Sequence, residues 1–233
     1  AVCQWAKTNP RIDSKKIIIA GHSEGGIIGP MVASRNADVA GVVLLAGTGV
    51  SGREIILNQT RGIAAVAGLP EKVLDLQDEL LRLVIARSKE GLPMDGDFVD
   101  SLNGVFADLS EDQRLKYGLN DVATKTILVF KSKWMKYFLE FDPATTLSKT
   151  HCPVLSLIGE KDLQVDPQLN MPAIRGAMDK AVNQDFTQVL LHGLNHLFQK
   201  CETGSPSNYV TIEQTLDDSM LSEMSGWLET RFK

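Results

Sequence analysis

The chain has 233 residues, 43% hydrophobic and 23% charged, with a formal net charge of -5. That length holds one domain, or one domain with a large insertion, and the composition is that of an ordinary globular chain. The acidic balance argues against nucleic acid as a partner, because phosphate binding needs a basic face and Lys15-Lys16 is only a solvated pair. No apolar run approaches the roughly 18 residues of a membrane span. Cys3, Cys152 and Cys201 are too few and too odd for a disulfide framework, and leave room for one bridge.

Val2 to Lys7 reads as a short helix ended by Asn9-Pro10, because the residue before proline is pushed out of the helical region. Ile17-Ile18-Ile19-Ala20-Gly21 is a β-branched run of strand length, expected in a buried parallel sheet. A turn, His22 to Gly26, precedes a helix from Ile27 to Ser34, where Pro30 is tolerated only near the first turns. Val39 to Gly47 is a second buried strand. Residues 51–147 differ in character. Val73, Leu74, Leu76, Leu80, Leu81, Leu83 and Val84 recur at three- and four-residue spacings, and Ser110 followed by Gln113 predicts a capping box. We read 51–147 as a helical insertion into a core formed by 1–50 and 148–233. Strand character returns at Cys152 to Gly159, with a helix from about Pro172 to Asn183 after it. A fourth strand follows at Phe186 to Leu191, then a closing helix from about Thr215 to Phe232 with Leu216, Met220, Met224, Trp227 and Leu228 on its apolar stripe. Alternating strand and helix predicts an α/β domain with a mainly parallel, four-stranded sheet.

Gly21-His22-Ser23-Glu24-Gly25 fits G-x-S-x-G, with a strand before it and a helix after it. In that setting serine sits on a strained strand-to-helix turn, the glycines admit close backbone, and the oxygen is raised above the carboxyl end of the sheet. The Glu24 N–H opens a helix and is positioned to donate to a developing oxyanion. A serine hydroxyl needs a base. His196, in Gly193-Leu194-Asn195-His196, lies a few residues past the last strand, where a loop can return it over Ser23. His192 reads as the tail of that strand and His151 as lying at the opposite sheet end. His22 is expected to point away from Ser23 and is kept as a pocket candidate. The base needs an orienting carboxylate. Asp162, after the third strand, is the first choice, Asp166 the second, and Glu160 is assigned to holding the turn. No Cys/His cluster has zinc spacing and no glycine-rich phosphate loop follows a strand, so neither a metal nor an organic cofactor is expected.

Gly-His-Ser-Glu-Gly-Gly at 21–26, Gly-Glu-Lys-Asp-Leu-Gln-Val at 159–165 and Gly-Leu-Asn-His-Leu-Phe-Gln at 193–199 resemble a group of bacterial α/β-hydrolases, the esterase D-like and acylaminoacyl-peptidase-related serine hydrolases. The resemblance runs over nearly the whole chain, and the order Ser, Asp, His is the order of that fold. It implies hydrolysis of small carboxylic esters by Ser23, Asp162 and His196 through an acyl-enzyme. It also makes the helical segment a cap whose Trp134, Tyr137 and Phe138 either line the acyl or alcohol pocket or pack the cap itself. The family's sheet has more strands than the four visible here, and its serine follows the fifth, so about half the sheet is expected upstream of Ala1. The compartment stays open for the same reason, as does the oligomeric state. A serine peptidase, an acyltransferase or a thioesterase would use the same triad. A non-catalytic module of this fold would usually have lost a member of it.

Overall fold

The four apolar runs form strands and the segments between them form helices, in a computed structural model that describes residues 1–181 and 183–233. The chain begins α1 (Val2–Thr8), β1 (Ile17–His22), α2 (Gly25–Ala33) and β2 (Val39–Leu45). Seven helices follow: α3 (Gly52–Val66), α4 (Glu71–Lys89), α5 (Gly96–Gly104), α6 (Glu111–Lys116), α7 (Val122–Phe130), α8 (Lys133–Glu140) and α9 (Ala144–Leu147). Then come β3 (Val154–Gly159), α10 (Pro167–Met178), β4 (Phe186–Leu191), a 3-10 helix (Pro206–Thr211) and α11 (Asp218–Phe232).

The strands make one parallel sheet in the order β1-β2-β3-β4, with Ile19 opposite Val42, Val42 opposite Val154 and Val154 opposite Phe186. A parallel sheet is stable when both faces are covered. Successive side chains alternate between faces, so each central strand feeds two cores. Val42, Leu44, Val154 and Ile158 pack with Ala33 of α2 and with Ile174, Ala177 and Met178 of α10. Val43, Leu155 and Leu157 pack on the other face with Met220 and Trp227 of α11. Every residue of β3 is buried, whereas Ile18 and Ile19 of β1 are half-buried and Ala20 is exposed, as position in the sheet requires.

The contacts divide the chain into two compact units, residues 1–50 with 142–233 and residues 51–141. The second is wholly helical, with a core that sets Val73, Leu80, Leu81, Val84 and Ile85 of α4 against Leu102, Phe106, Ile127, Phe130 and Met135. Leu83, on the outer face of α4, is 39% exposed. The expected capping box is present: the Gln113 N–H donates to Ser110 Oγ and the Ser110 N–H to Gln113 Oε1. A second one joins Ser51 and Glu54 at the start of α3. The division falls after Phe141 rather than 147, because Leu147 of α9 is buried in the sheet core beside Val154.

Three helix starts differ from the sequence reading, and the first is α2, which begins at Gly25, two residues before Ile27, with Pro30 inside it. α10 begins at Pro167, five residues earlier than read, because Asp166 caps it and Pro167 takes the first turn, leaving Pro172 inside. Its last residue is Met178, and position 182, near the end of the helix as read, lies outside the described residues. α11 starts at Asp218 with Asp217 as its cap, so Leu216 falls before the helix and is 39% exposed. Cys3, Cys152 and Cys201 are all free, and burial pushes the Cys152 thiol up to about 11. Among the described residues no helix is long and apolar enough to cross a membrane.

Candidate active site

Ser23, Asp162 and His196 stand on three loops that leave the carboxyl ends of β1, β3 and β4. Ser23 follows β1 directly and holds φ at 55°, in the left-handed region. For a residue with a Cβ this costs about 1 kcal/mol or more, and the surroundings hold it there. The Ser23 N–H donates to the Leu45 carbonyl at the end of β2 at 2.8 Å, and the Ser23 carbonyl accepts from Gly26 at 2.9 Å. A Cβ on Gly21 would run into the Gly25 carbonyl, and one on Gly26 would come 2.5 Å from Gly47 Cα. The glycines therefore allow strand, turn and helix to close on themselves.

Asp162 is 2% exposed, and each of its oxygens has partners. Oδ1 accepts from the Gln164 and Val165 N–H groups, both at 2.8 Å, and Oδ2 accepts from His196 Nδ1 at 2.8 Å. A buried carboxylate needs that many donors, and they leave its plane no freedom. Because a carboxylate only accepts, the proton lies on His196 Nδ1 and the Nε2 lone pair is left as a base. His196 itself is 4% exposed. Among the described residues no hydrogen bond joins the Ser23 hydroxyl to it. Hydrogen bonds of this kind are often long before substrate binds.

The loop carrying His196 is built on a residue that the sequence reading passed over. Asn195 is fully buried, and its Oδ1 accepts from the Leu197 and Gln199 N–H groups while its Nδ2 donates to Gln199 Oε1. Gln199 Nε2 reaches the Gln214 carbonyl, and the Phe198 carbonyl takes the N–H of Asp217, the cap of α11. The signal was present: asparagine beside His196, in a glycine-started turn, is a residue that bonds its own backbone. The loop also presses on the end of β3. A Cβ on Gly159 would run into the Leu194 and Asn195 carbonyls.

The remaining candidates have other work. Asp166 accepts from the Gln168 N–H as the cap of α10. Glu160 holds the turn by accepting from Gly193, and that hydrogen bond, with His192 beside it, lowers its pKa. His192 is 80% exposed and sits 3.3 Å from Glu160, and His151 is exposed at the start of β3. His22 packs on the histidine rather than on the serine. Its ring lies 4.6 Å from that of His196, and its Nε2 donates to the His196 carbonyl at 2.8 Å. Strand alternation explains this. His22 shares a face with Ile18, the face against which Phe198 and α11 pack. Tyr209, in the 3-10 helix, accepts from Gln164 Nε2; burial first, then the Asp162 charge, raises its pKa. Nothing in the sequence marks Tyr209, which is 47 positions from Asp162 and tied to it only by folding.

No protein-family model matches the sequence, and no curated protein matches it. Solved structures do. An esterase from Pyrococcus furiosus superposes with a TM-score of 0.51 at 13% identity, over 99% of this chain and 59% of that one. GrgF, an α/β hydrolase from Penicillium sp. sh18, superposes with a TM-score of 0.50 at 17% identity, over 99% of this chain and 68% of that one. The fold is that of the α/β-hydrolases. The chain thus spans between about three-fifths and two-thirds of the length of these two α/β-hydrolase structures. Ser23 follows β1, Asp162 follows β3 and His196 follows β4, all at the same end of the sheet.

In the helical unit, Trp134, Tyr137 and Phe138 all lie on α8. Trp134 stacks on Phe138 at 5.1 Å and Tyr137 on Phe141 at 5.6 Å. Phe138 packs against the unit's core, while Trp134 and Tyr137 leave about half their surface exposed.

Proposed function

We propose that this chain carries the triad of a serine hydrolase that cleaves carboxylic esters, with Ser23 as nucleophile, His196 as base and Asp162 as the acid that orients it. The observation that carries the reading is the buried 2.8 Å bond from His196 Nδ1 to Asp162, at the same sheet end as a serine held at a positive φ. The fold supports it, and the Pyrococcus neighbour is an esterase by its own description.

In this reading Ser23 Oγ attacks the ester carbonyl while its proton passes to His196 Nε2. Asp162 fixes the tautomer and stabilises the imidazolium. The Glu24 N–H, at the start of α2, donates to the tetrahedral oxyanion. His196 then gives its proton to the departing alcohol, leaving the acyl group on Ser23. Water, deprotonated by the same nitrogen, attacks that acyl carbonyl, and the proton returns to Ser23 as the acid departs. No metal or organic cofactor enters any step.

The test is labelling by a fluorophosphonate together with hydrolysis of short-chain p-nitrophenyl esters. The adduct is expected on Ser23, and Ser23→Ala is expected to lose both labelling and turnover with the fold retained by circular dichroism. Turnover that survives Ser23→Ala would overturn the assignment.

A further inference from the structure

We propose that His22 is a positioning residue for the base: it fixes the loop that carries His196 at its distance from the serine. The inference rests on the triad reading above. β1 and β4 are the two outer strands of the four, so the loop that leaves β4 has to cross the end of the sheet to reach the turn after β1. Three inter-strand steps make that span about 14 Å. At its far end the loop is tied down by His22, whose Nε2–H the His196 carbonyl accepts at 2.8 Å. His22 is the last residue of β1, and its Cα lies ~3.8 Å from that of Ser23. The bond therefore fixes the main chain of the base against the strand end that carries the nucleophile.

The carbonyl needs that donor. His196 is 4% exposed, and among the described residues no backbone N–H donates to its carbonyl. A buried carbonyl without a partner is costly, and the loop would have to move to find one. Asp162 does not supply the restraint alone. It holds the ring at Nδ1 and leaves the main chain of His196 free to pivot about that bond. Asn195 ties the loop to itself, through Leu197 and Gln199, and not to β1. The rings of His22 and His196 also touch, 4.6 Å apart and tilted by 49°, which limits rotation of the base. A displacement of about 1 Å between reacting groups can lower turnover by about a hundredfold, so a restraint of this kind is felt in the rate.

The experiment compares two replacements in the 233-residue chain, His22→Gln and His22→Phe. Glutamine carries its amide nitrogen at the reach of histidine Nε2, so it keeps the donor and loses the ring; phenylalanine keeps a ring and loses the donor. On p-nitrophenyl esters His22→Phe is expected to lower kcat by about ten- to a hundredfold with KM nearly unchanged. His22→Gln is expected to recover most of that loss. A second readout does not depend on turnover. The proton on His196 Nδ1, followed by nuclear magnetic resonance with isotope-labelled histidine, is expected to stay sharp in the wild type and in His22→Gln. In His22→Phe it should broaden by exchange with solvent. An unchanged kcat in His22→Phe overturns the proposal, as does a rise in KM alone, which would make His22 a wall of the substrate pocket. So does a His22→Gln variant no better than His22→Phe, or a resonance that stays sharp in His22→Phe. If His22→Phe fails to fold, His22→Asn, whose amide stops short of the carbonyl, takes its place with the same expectations. A wild-type chain that neither takes the fluorophosphonate nor turns over ester counts against the triad instead, and the resonance then decides by itself whether His22 holds the His196 loop.

Discussion

The Asp162 carboxylate is held by three donors, and that makes its replacement informative. Oδ1 already accepts from two backbone N–H groups, so the amide oxygen of Asp162→Asn would keep that place. The new NH2 would then face His196 Nδ1 and donate to it. The imidazole would have to carry its proton on Nε2 instead, and a protonated Nε2 cannot take the serine's proton. On the proposed mechanism, ester turnover is expected to fall by about a thousandfold to ten-thousandfold while circular dichroism stays unchanged. Steady-state hydrolysis of p-nitrophenyl esters checks it, and a loss below tenfold would remove Asp162 from the mechanism. Glu160, two residues earlier on the same loop, is not free to substitute, because it is engaged by Gly193 and His192.

At the scale of elements, the start of α11 supports the His196 loop. Asp217 accepts from the Ser219 N–H, the Ser219 hydroxyl and Gln214, and Lys200 lies 3.4 Å away. These donors, the Ser219 hydroxyl first, hold its carboxyl well below the usual carboxylate range. A depressed folded pKa contributes stability above the unfolded value of about 3.9, and that contribution is lost as pH falls below it. Asp217→Ala is therefore expected to cost about 1–2 kcal/mol at pH 7, as a lost helix cap does. The gap from wild type should narrow as pH drops below about 4, read by urea unfolding across that range. A gap independent of pH would mean that the carboxylate's charge contributes nothing.

The same element shows what could be read from sequence and what could not. The strands were legible because Ile17–Ile19 and Val154–Ile158 are apolar runs that only a covered sheet accepts. The glycine turn around Ser23 was legible because its glycines are needed for close backbone, and the placing of Asp162 and His196 at one sheet end because each follows a strand. The onset of α10 was misread because Pro167 and Pro172 both suit a first turn, and only the Asp166 cap distinguishes them. α11 starts later than the Thr215 read because its cap is Asp217, whose N–H the Phe198 carbonyl takes. The contact of His22 with His196 was not legible, because it joins residues 174 positions apart. The meeting of Tyr209 with Gln164, 45 positions away, joins segments that no local pattern brings together.

At the scale of the whole molecule, the two units have separate cores, and a cavity made in one should be felt there. Leu102 is fully buried among helices of the second unit. Leu102→Ala is expected to cost about 2–5 kcal/mol. Amide hydrogen exchange should quicken across 51–141 while β2 and β3 keep their protection. Equal loss of protection in the sheet would mean that the two units unfold as one. The sheet itself has an unusual connection. β2 ends at Leu45 and its hydrogen-bonded neighbour β3 begins at Val154, with the helical unit between them. Pairings between residues so far apart in sequence are slow to form, whereas helices close contacts nearby in the chain. On a growing chain, the seam between β2 and β3 has to wait until the helical segment has been synthesised. During that interval the apolar strand Val39–Leu45 has only β1 beside it in the sheet, and this is the stretch at which a chaperone or a neighbouring nascent chain would have its opportunity.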